Sequence, residues 1–396
     1  MEVTRRQSLA MGAGLALSAC ATRLRQSPPA AAASLDALAR RSGRRFGSAV
    51  GTGPPGTITG SFADPRYRQL LVPECGALVH ENELKWGWIR PAPDRFNFAA
   101  ADMILAFAEQ HGMAMRGHTL LWHHPSWFPA WVASYDFGPN PRAEAERMIR
   151  EHIETVCRRY GTRIYSYDVV NEAVHNWTGE LRETPFSRAM GSAQEVLDLA
   201  FRTAREAAPH AQLVYNDYMA WEPWNEVHRT GVLRLLEGFR TRDVPVDALG
   251  IQSHIGTENS DESTGFGAAQ EPEWRRFVDE VVAMGYELVI TEFDVHDKGL
   301  PADVAVRDRA VADYARAYLD MMLSYPQMGD LLVWGMSDRY SWLQERWLRP
   351  DRLPKRVAPY DAEFRPKPLR AAIAEALRGA TPSTVSTRPG AIAARG

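Results

Sequence analysis

Two glutamates in this 396-residue sequence directly follow short apolar runs of the kind that form buried strands. Glu172 follows Val-Val-Asn at 169–171, and Glu292 follows Val-Ile-Thr at 289–291. A glycosidic bond is hydrolysed by two carboxyl groups: one protonates the leaving oxygen, and the other acts on the opposite side of the anomeric carbon. A separation of about 5–5.5 Å between them would indicate a covalent intermediate and retention of configuration. One glutamate at a strand end is usually a solvated or salt-bridged group, so the interpretation depends on the pair.

Two such carboxyl groups must be held face to face by the fold. In this sequence short apolar segments, which predict strands, alternate with longer amphipathic segments, which predict helices. The eight predicted strands are 46–50, 76–80, 114–118, 165–170, 212–216, 248–253, 288–292 and 330–335. The predicted helices between them include 98–111, 142–160, 193–208, 227–240, 273–284 and 304–324. This alternation indicates an α/β fold, a parallel (β/α)8 TIM barrel in a single catalytic domain. A doubly wound open sheet is the alternative, but 47–51 is a poor match to its phosphate-binding turn.

Polar side chains concentrate at or just beyond the C-terminal ends of the predicted strands. In a barrel those ends converge on one face, where active sites are built. The fourth and seventh strands lie on opposite sides of that face, so Glu172 and Glu292 can approach one sugar from both sides. The strand-end residues are Glu81, Asn82, His118, Asn171, Glu172, Asn216, Asp217, Gln252, His254, Glu292, Trp334 and Asp338.

Seven short motifs carry a more specific signal, and together they resemble glycoside hydrolase family 10, the endo-β-1,4-xylanases, in an exported bacterial form. The resemblance covers about residues 40–375. It implies a retaining enzyme that hydrolyses internal β-1,4 bonds of xylan or xylo-oligosaccharides by double displacement through a covalent glycosyl-enzyme. The motifs are 81–86 (Glu-Asn-Glu-Leu-Lys-Trp), 116–123 (Arg-Gly-His-Thr-Leu-Leu-Trp-His), 168–173 (Asp-Val-Val-Asn-Glu-Ala), 215–218 (Tyr-Asn-Asp-Tyr), 250–254 (Gly-Ile-Gln-Ser-His), 290–294 (Ile-Thr-Glu-Phe-Asp) and 333–335 (Val-Trp-Gly).

The resemblance implies a role for each catalytic group. Glu172 would be the acid/base and Glu292 the nucleophile, an order of roles that spacing alone does not decide. Asn171 would hydrogen-bond the 2-hydroxyl of the sugar at the cleavage point. Gln252 and His254 would keep Glu292 ionised and oriented by donating to it or to the sugar.

The resemblance also implies substrate contacts on both sides of the scissile bond. Sugar hydroxyls on the non-reducing side would be bound by Lys85, Asn82 and His118, and tryptophans would line that subsite. Tyr218 would form a platform for the sugar on the leaving-group side. Outside its motif, Lys85 would be interpreted as a surface charge and His118 as an ordinary buried histidine. For Trp342, the alternative to a sugar contact is that it packs under a loop. The implied substrate-binding residues are Glu81, Asn82, Lys85, His118, Trp122, Asn171, Tyr218, Gln252, His254, Trp334 and Trp342.

The two catalytic roles require opposite protonation states at one pH. Two nearby carboxyl groups separate their pKa values, because the first charge disfavours the second and hydrogen bonds to Glu292 favour its ionised form. Glu172 becomes the base in the second half-reaction, when its pKa falls. We therefore expect a bell-shaped dependence of rate on pH.

Charge and cysteine content argue against several other classes. The formal charge of −3 gives no reason to expect nucleic acid or an anionic membrane surface as a partner. Cys75 and Cys157 are too few for a disulfide framework; we expect two buried free thiols, with one disulfide as the alternative. His123, His124 and His296 show no metal-ligand spacing, so no metal and no other cofactor is predicted.

The N-terminal residues have the features of an export signal. Arg5-Arg6 precede an apolar stretch that is too short to span a bilayer, and they resemble a twin-arginine signal. Residues 17–20 (Leu-Ser-Ala-Cys) resemble a bacterial lipobox that would lipidate Cys20, with ordinary signal cleavage as the alternative. We expect a monomer that is periplasmic or anchored at the outer membrane as a lipoprotein, or else secreted. The expected organisation is an export signal at 1–20, a tether at 21–39, the barrel at 40–378 and a flexible tail at 379–396.

Two loops depart from the family pattern or resist interpretation. Residues 344–360 carry five basic side chains and are interpreted as a solvated loop or as a rim that contacts acidic substituents such as uronic acid branches. Residues 257–270 are expected on the leaving-group side. The five basic residues are Arg346, Arg349, Arg352, Lys355 and Arg356.

Three other functions were weighed against the xylanase interpretation. A β-glucanase or cellulase on the same barrel remains open, since only a 5-hydroxymethyl group distinguishes glucose from xylose at each subsite. A non-catalytic sugar-binding lipoprotein is disfavoured because Glu172, Glu292 and the residues that support them are intact. A metal-dependent deacetylase would need a His and Asp cluster that the sequence pattern does not contain.

Overall fold

A computed structural model describes residues 33–257 and 270–386. The predicted leader with its lipobox cysteine Cys20, the loop residues 258–269 and residues 387–396 lie outside the described residues. None of the helices in the described part of the chain combines the length and the apolar character that a bilayer crossing requires.

Parallel strands close into a barrel, which confirms the predicted (β/α)8 fold. The strands in the described residues are β1 (Phe46–Val50), β2 (Ala77–His80), β3 (Ala114–Trp122), β4 (Ile164–Asn171), β5 (Gln212–Asp217), β6 (Ala248–Ile251), β7 (His254–Gly256), β8 (Glu287–His296) and β9 (Met328–Val333). β1 pairs with β2 and β9, and the pairing of β6 with β8 closes the ring. β3 and β8 are longer than predicted because their C-terminal halves continue to pair with β4 and β7.

The predicted strand 248–253 is divided in the structure. β6 ends at Ile251, and Ser253 has a left-handed backbone with a φ of 61° that a continuous strand does not allow. The Ser253 hydroxyl bonds the carbonyl oxygen of Ile251 at 3.2 Å, which supports this bend. The break changes the direction of the chain between Gln252 and His254, two residues that a regular strand would point to the same side.

Helices cover the outside of the barrel, and the six predicted helices all occur within a few residues of their predicted bounds. The helix at Pro141–Tyr160 shows why: Asn140 caps it, a proline occupies its first position, and Gly161 ends it with a φ of 51°. The helices are α1 (Leu35–Arg40), α2 (Pro65–Glu74), α3 (Trp86–Ile89), α4 (Ala99–Gln110), α5 (Ala130–Ala133), α6 (Pro141–Tyr160), α7 (Pro185–Met190), α8 (Ala193–Ala207), α9 (Glu226–Thr241), α10 (Glu271–Ala283), α11 (Val304–Met322) and α12 (Pro368–Gly379).

The interior of the barrel is filled by side chains and is not a channel. At its N-terminal end the Tyr165 hydroxyl donates to Asp330 at 2.7 Å, and the Arg45 guanidinium lies 4.5 Å from the Tyr165 ring. With this end occupied, the C-terminal face is the one that offers a cleft. The apolar residues packed together inside are Ala49, Val79, Val214, Ala248, Val289, Leu332 and Trp334.

The folded part is longer at both ends than the sequence predicted. α1 begins at Leu35, inside the predicted tether 21–39, because the Leu35 side chain is fully buried. Beyond α12, inside the predicted tail 379–396, the backbone N–H of Ser383 donates to the carbonyl oxygen of Ser42 at 2.8 Å. Burial and backbone pairing thus extend the barrel domain where composition alone had indicated flexible chain.

Cys75 and Cys157 are both buried and neither is in a disulfide, which confirms the prediction of free thiols. Burial raises the pKa of both thiols, that of Cys157 to about 12. They are therefore packing groups and not reactive nucleophiles.

Candidate active site

A cleft of about 1070 Å³ opens at the C-terminal ends of the barrel strands. All of the site residues predicted from the sequence line this cleft, so the fold brings the separate motifs together. In the stretches 33–257 and 270–386, no three His, Cys, Asp or Glu side chains are arranged to hold a metal ion. The predicted residues in the cleft are Glu81, Asn82, Lys85, His118, Trp122, Asn171, Glu172, Tyr218, Gln252, His254, Glu292, Trp334 and Trp342.

The carboxyl group of Glu172 is held by neutral donors. Glu172 follows β4, where Gln252 Nε2 donates to one carboxyl oxygen at 2.9 Å and Trp122 Nε1 donates to the other at 3.0 Å. Burial, together with the charges of Asp217 and Glu292, raises the pKa of Glu172 to about 7. Glu172 therefore keeps its proton in mildly acidic solution, as a general acid must.

Glu292 has a charged neighbour instead. His254 Nε2 lies 3.3 Å from one oxygen of Glu292, and Asn216 Nδ2 donates to the other at 2.8 Å. Burial acts to raise the pKa of Glu292, but the bond from His254 and the nearby charge of His118 outweigh it. The pKa of Glu292 therefore lies below its ordinary value, and the group is an ionised carboxylate suited to nucleophilic attack.

His254 is the cation that separates the two protonation states. Its Nδ1 lies 2.9 Å from Asp294, on the side away from Glu292. Burial acts to lower the pKa of His254, but the two carboxylates raise it to about 10. Trp342 Nε1 donates to the second oxygen of Asp294 at 2.9 Å, so Trp342 has a polar role as well as its predicted place in the wall.

A side-chain amide links the two glutamates. Asn216 Nδ2, which donates to Glu292, also donates to Asn171 Oδ1 at 2.9 Å, and Asn171 Nδ2 donates to Glu172 at 3.3 Å. The Thr291 hydroxyl donates to Asn216 Oδ1 at 2.7 Å and thereby fixes the orientation of the amide. Asn216 appeared among the strand-end residues but not among the predicted site residues, because its partner Glu292 is on a strand that does not pair with its own.

Gln252 has a different partner from the glutamate that it was predicted to orient. Its amide donates to Glu172, whereas the amide donor to Glu292 is Asn216. The cause is the break at Ser253, after which His254 and not Gln252 reaches Glu292. The expectation that Gln252 donates to Glu292 was therefore wrong, and its contact with the sugar stays a prediction.

The chain matches one family of glycoside hydrolases along most of its described length. The sequence model of Glycosyl hydrolase family 10 matches residues 34–376. This chain belongs to glycosyl hydrolase family 10. The resemblance inferred from the seven motifs is thus confirmed.

Named relatives agree with the family assignment. Endo-1,4-beta-xylanase 3 of Hypocrea jecorina is 32% identical over 339 residues, which cover 85% of this chain and 84% of that protein. Endo-1,4-beta-xylanase B of Thermotoga neapolitana is 28% identical over 314 residues, covering 79% of this chain and 83% of that protein.

Solved structures of similar proteins have the same fold. Native xylanase 10B from Thermotoga maritima superposes with a TM-score of 0.75 at 29% identity, covering 87% of this chain and 98% of that one. Xylanase 10B from Thermotoga petrophila, solved in complex with xylobiose, has a TM-score of 0.75 at 28% identity, covering 87% and 97%.

The cleft also contains a partly buried lysine, Lys85. Lys85 Nζ donates to Asn82 Oδ1 at 2.9 Å and lies 4.7 Å from the centre of the Trp122 ring. Burial lowers the pKa of Lys85, although the charges of Glu292 and Glu81 act to raise it. These contacts leave Lys85 with donors to spare for a sugar hydroxyl, which is the role that the sequence predicted.

His118 is oriented by a buried ion pair that the sequence did not predict. His118 Nδ1 lies 2.9 Å from Asp168 Oδ2, which also accepts from Arg116 at 2.7 Å. Burial acts to raise the pKa of Asp168, but Arg116 and His118 lower it below its ordinary value. With Nδ1 engaged, Nε2 is the ring nitrogen left for a ligand in the cleft.

Tyr218 is held by a residue that no motif contained. Arg182 Nη2 donates to the Tyr218 hydroxyl at 2.8 Å, and Arg182 Nε donates to the main-chain oxygen of Glu172 at 3.1 Å. The same guanidinium thus fixes the predicted leaving-group platform and the backbone of the acid. Nothing in the local sequence around Arg182 indicated this contact.

Sequence reasoning also missed five tryptophans that line the cleft. Trp127 stacks on Trp122 with ring centres 4.7 Å apart, which extends the predicted wall. Trp177 and Trp224 are 69% and 47% exposed, although large apolar side chains are usually covered. His296, to which no chemistry was assigned, also lines the cleft. The available signal was the count of twelve tryptophans; the five are Trp88, Trp127, Trp177, Trp224 and Trp347.

Proposed function

We propose that this family 10 chain is a retaining endo-β-1,4-xylanase. The observation that carries the proposal is the contrast between the glutamates: Glu172 has a pKa raised to about 7 by burial, while Glu292 is kept ionised beside His254. This is the pair of states from which a double displacement starts. The xylanase relatives and the similar enzyme in complex with xylobiose support xylan as the substrate.

In the first step Glu292 attacks the anomeric carbon while Glu172 gives its proton to the glycosidic oxygen. The carbon–oxygen bond to the leaving chain breaks as the ester bond to Glu292 forms, so the leaving chain departs as an alcohol. Asn171, beside the acid, is positioned to donate to the 2-hydroxyl of the sugar, a contact that tightens in the transition state.

In the second step Glu172 acts as the base. Esterification removes the negative charge of Glu292, so one of the effects that raised the pKa of Glu172 disappears and the carboxylate is stable after its proton has left. It takes a proton from water, the hydroxide adds to the anomeric carbon, and Glu292 is released. Two inversions give retention.

The shape of the cleft favours internal cleavage of a chain. Exposed indoles line the cleft that holds the catalytic pair: Trp127 stacks on Trp122, and Trp177 is 69% exposed. Flat indole faces stack on sugar rings. A cleft lined in this way suits a polymer that passes through it better than a single sugar.

The test compares release of reducing ends from β-1,4-xylan, mixed-linkage β-glucan and carboxymethylcellulose, with the Glu292→Ala variant alongside. We expect release from xylan alone, and its loss in the variant. Activity that prefers glucan would keep the two carboxyl groups but replace the xylanase by a glucanase. Full activity of Glu292→Ala on xylan would contradict the assigned nucleophile.

We also propose that the chain is exported and anchored through a lipid on Cys20 as a monomer. The twin-arginine-like Arg5-Arg6 and the lipobox-like residues 17–20 support this. Wild-type chain should fractionate with membranes, and Cys20→Ala should be released into the soluble exported fraction. Equal partition of the two forms would contradict the anchor, and sedimentation of Cys20→Ala would test the monomer.

A further inference from the structure

Arg346 is an exposed cation on the rim of the cleft. Its guanidinium lies over the ring of Trp127, 5.7 Å from the ring centre, and the residue lines the same cleft as the catalytic pair. Within residues 33–257 and 270–386, no carboxylate forms an ion pair with this guanidinium. Its ability to bind an anion is therefore unused inside the described part of the protein.

Two other arginines of the same loop have structural partners. Arg349 pairs with Asp351 at 2.6 Å, and Arg356 pairs with Asp308 at 2.6 Å. These pairs hold in place the loop that carries Arg346. The side chains of Arg349 and Arg356 therefore stabilise the loop, whereas Arg346 lines the cleft.

A second cation, Lys298, lines the cleft next to the same rim. Lys298 comes two residues after His296, whose ring lies 5.2 Å from the ring of Trp347, and Trp347 directly follows Arg346. Trp347 is 55% exposed. The rim thus combines an exposed indole with two positive charges.

An indole face and an adjacent guanidinium are complementary to a sugar that carries a carboxylate. The indole stacks on the ring, and the planar guanidinium donates two parallel hydrogen bonds to the carboxylate. We propose that Arg346, with Lys298 nearby, binds the carboxylate of a uronic acid branch on the xylan backbone. The proposal rests on the xylanase function above and names the acidic substrate class that the cleft prefers.

The test uses full-length wild type and two variants of one loop. Arg346→Gln removes the charge in the cleft, whereas Arg352→Gln removes an equally exposed charge of the same loop that does not line the cleft. Each protein is assayed for kcat/KM on glucuronoxylan and on the same polymer after reduction of its carboxyl groups to alcohols.

Wild type should favour the acidic polymer by about fivefold at low salt, a difference expected of an exposed charge-assisted contact. Arg346→Gln should lose this preference, Arg352→Gln should keep it, and Arg346→Lys should keep part of it. Salt at about 1 M should abolish the preference, because screening then acts over about 3 Å.

Two results would overturn the proposal. One is an equal effect of Arg346→Gln and Arg352→Gln. The other is an equal loss by Arg346→Gln on the acidic and the reduced polymer, since removal of a packing contact with Trp127 would act on both. Failure of wild type to hydrolyse either polymer would contradict the xylanase function instead. Calorimetry with an acidic and a neutral xylo-oligosaccharide would then still decide whether Arg346 binds the carboxylate.

Discussion

The surroundings of Glu172 and of Glu292 differ in charge although the two groups share one barrel mouth. Glu172 accepts from an amide and an indole, Gln252 and Trp122, which are both neutral. Glu292 faces His254, whose pKa is raised to about 10 by its carboxylate neighbours. Burial raises the pKa of Glu172 and acts in the same direction on Glu292. The difference teaches that a charged donor beside one glutamate and neutral donors beside the other divide a nucleophile from an acid.

The largest expected effect comes from removing Glu292, the glutamate with the charged neighbour. Glu292→Ala should lower kcat on xylan by roughly 10⁴-fold or more, because no covalent intermediate forms. Added azide should restore turnover with an activated aryl xyloside by occupying the vacated space and attacking directly, which gives an α-linked glycosyl azide. A β-linked product would show that the attack does not come from the side of Glu292.

Removal of Glu172, the glutamate with neutral donors, should lower activity less than removal of Glu292, and the size of the loss should depend on the leaving group. Glu172→Ala should lower kcat/KM on xylan by about 10²–10⁴-fold, the usual contribution of a general acid. With a dinitrophenyl glycoside, whose leaving group needs no proton, the first step should remain near the wild-type rate. An equal loss on both substrates would show that Glu172 does not protonate the leaving group.

Neutralising the cation should bring the two carboxyl groups closer in pKa. His254→Asn should raise the pKa of Glu292, since the hydrogen bond and the charge that lower it are lost. Activity requires ionised Glu292, so the acid limb of the kcat/KM profile should move to higher pH, with a fall of roughly a hundredfold at the optimum from lost orientation. An acid limb that stays at the same pH would contradict the claim that His254 lowers the pKa of Glu292.

The smallest effect should come from removing a hydrogen-bond donor to Glu172. The bond from Gln252 lowers the pKa of Glu172, so Gln252→Leu should raise that pKa further above about 7. Activity requires protonated Glu172, so the basic limb should move to higher pH while the acid limb stays. Trp122→Phe is the matched variant, because it removes the donor to the other oxygen and should move the same limb in the same direction. Movement of the acid limb in either variant would contradict the claim that these donors act on the pKa of Glu172 and not on that of Glu292.

The sequence alone predicted the barrel, its helices and the two glutamates with their motif residues in the cleft, but not five of the tryptophans that line it. The reason is that each rests on local order: short, continuously apolar runs before Glu172 and Glu292, and motifs whose residues are near neighbours in the chain. The ends of the domain were predicted less well. Leu35 and Ser383 are held by burial and backbone pairing with distant parts of the chain, which composition does not reveal.

Only the tertiary structure decided which donor serves which glutamate. Ser253, with its left-handed backbone, separates Gln252 from His254, and Asn216 on β5 reaches Glu292 on β8 past the intervening strand β6. It also decided that Arg346 lines the cleft while Arg349 and Arg356 hold the loop through ion pairs. The types and order of the chemical groups are written along the chain, whereas their partners depend on distances between residues far apart in sequence, and these exist only after the barrel has closed.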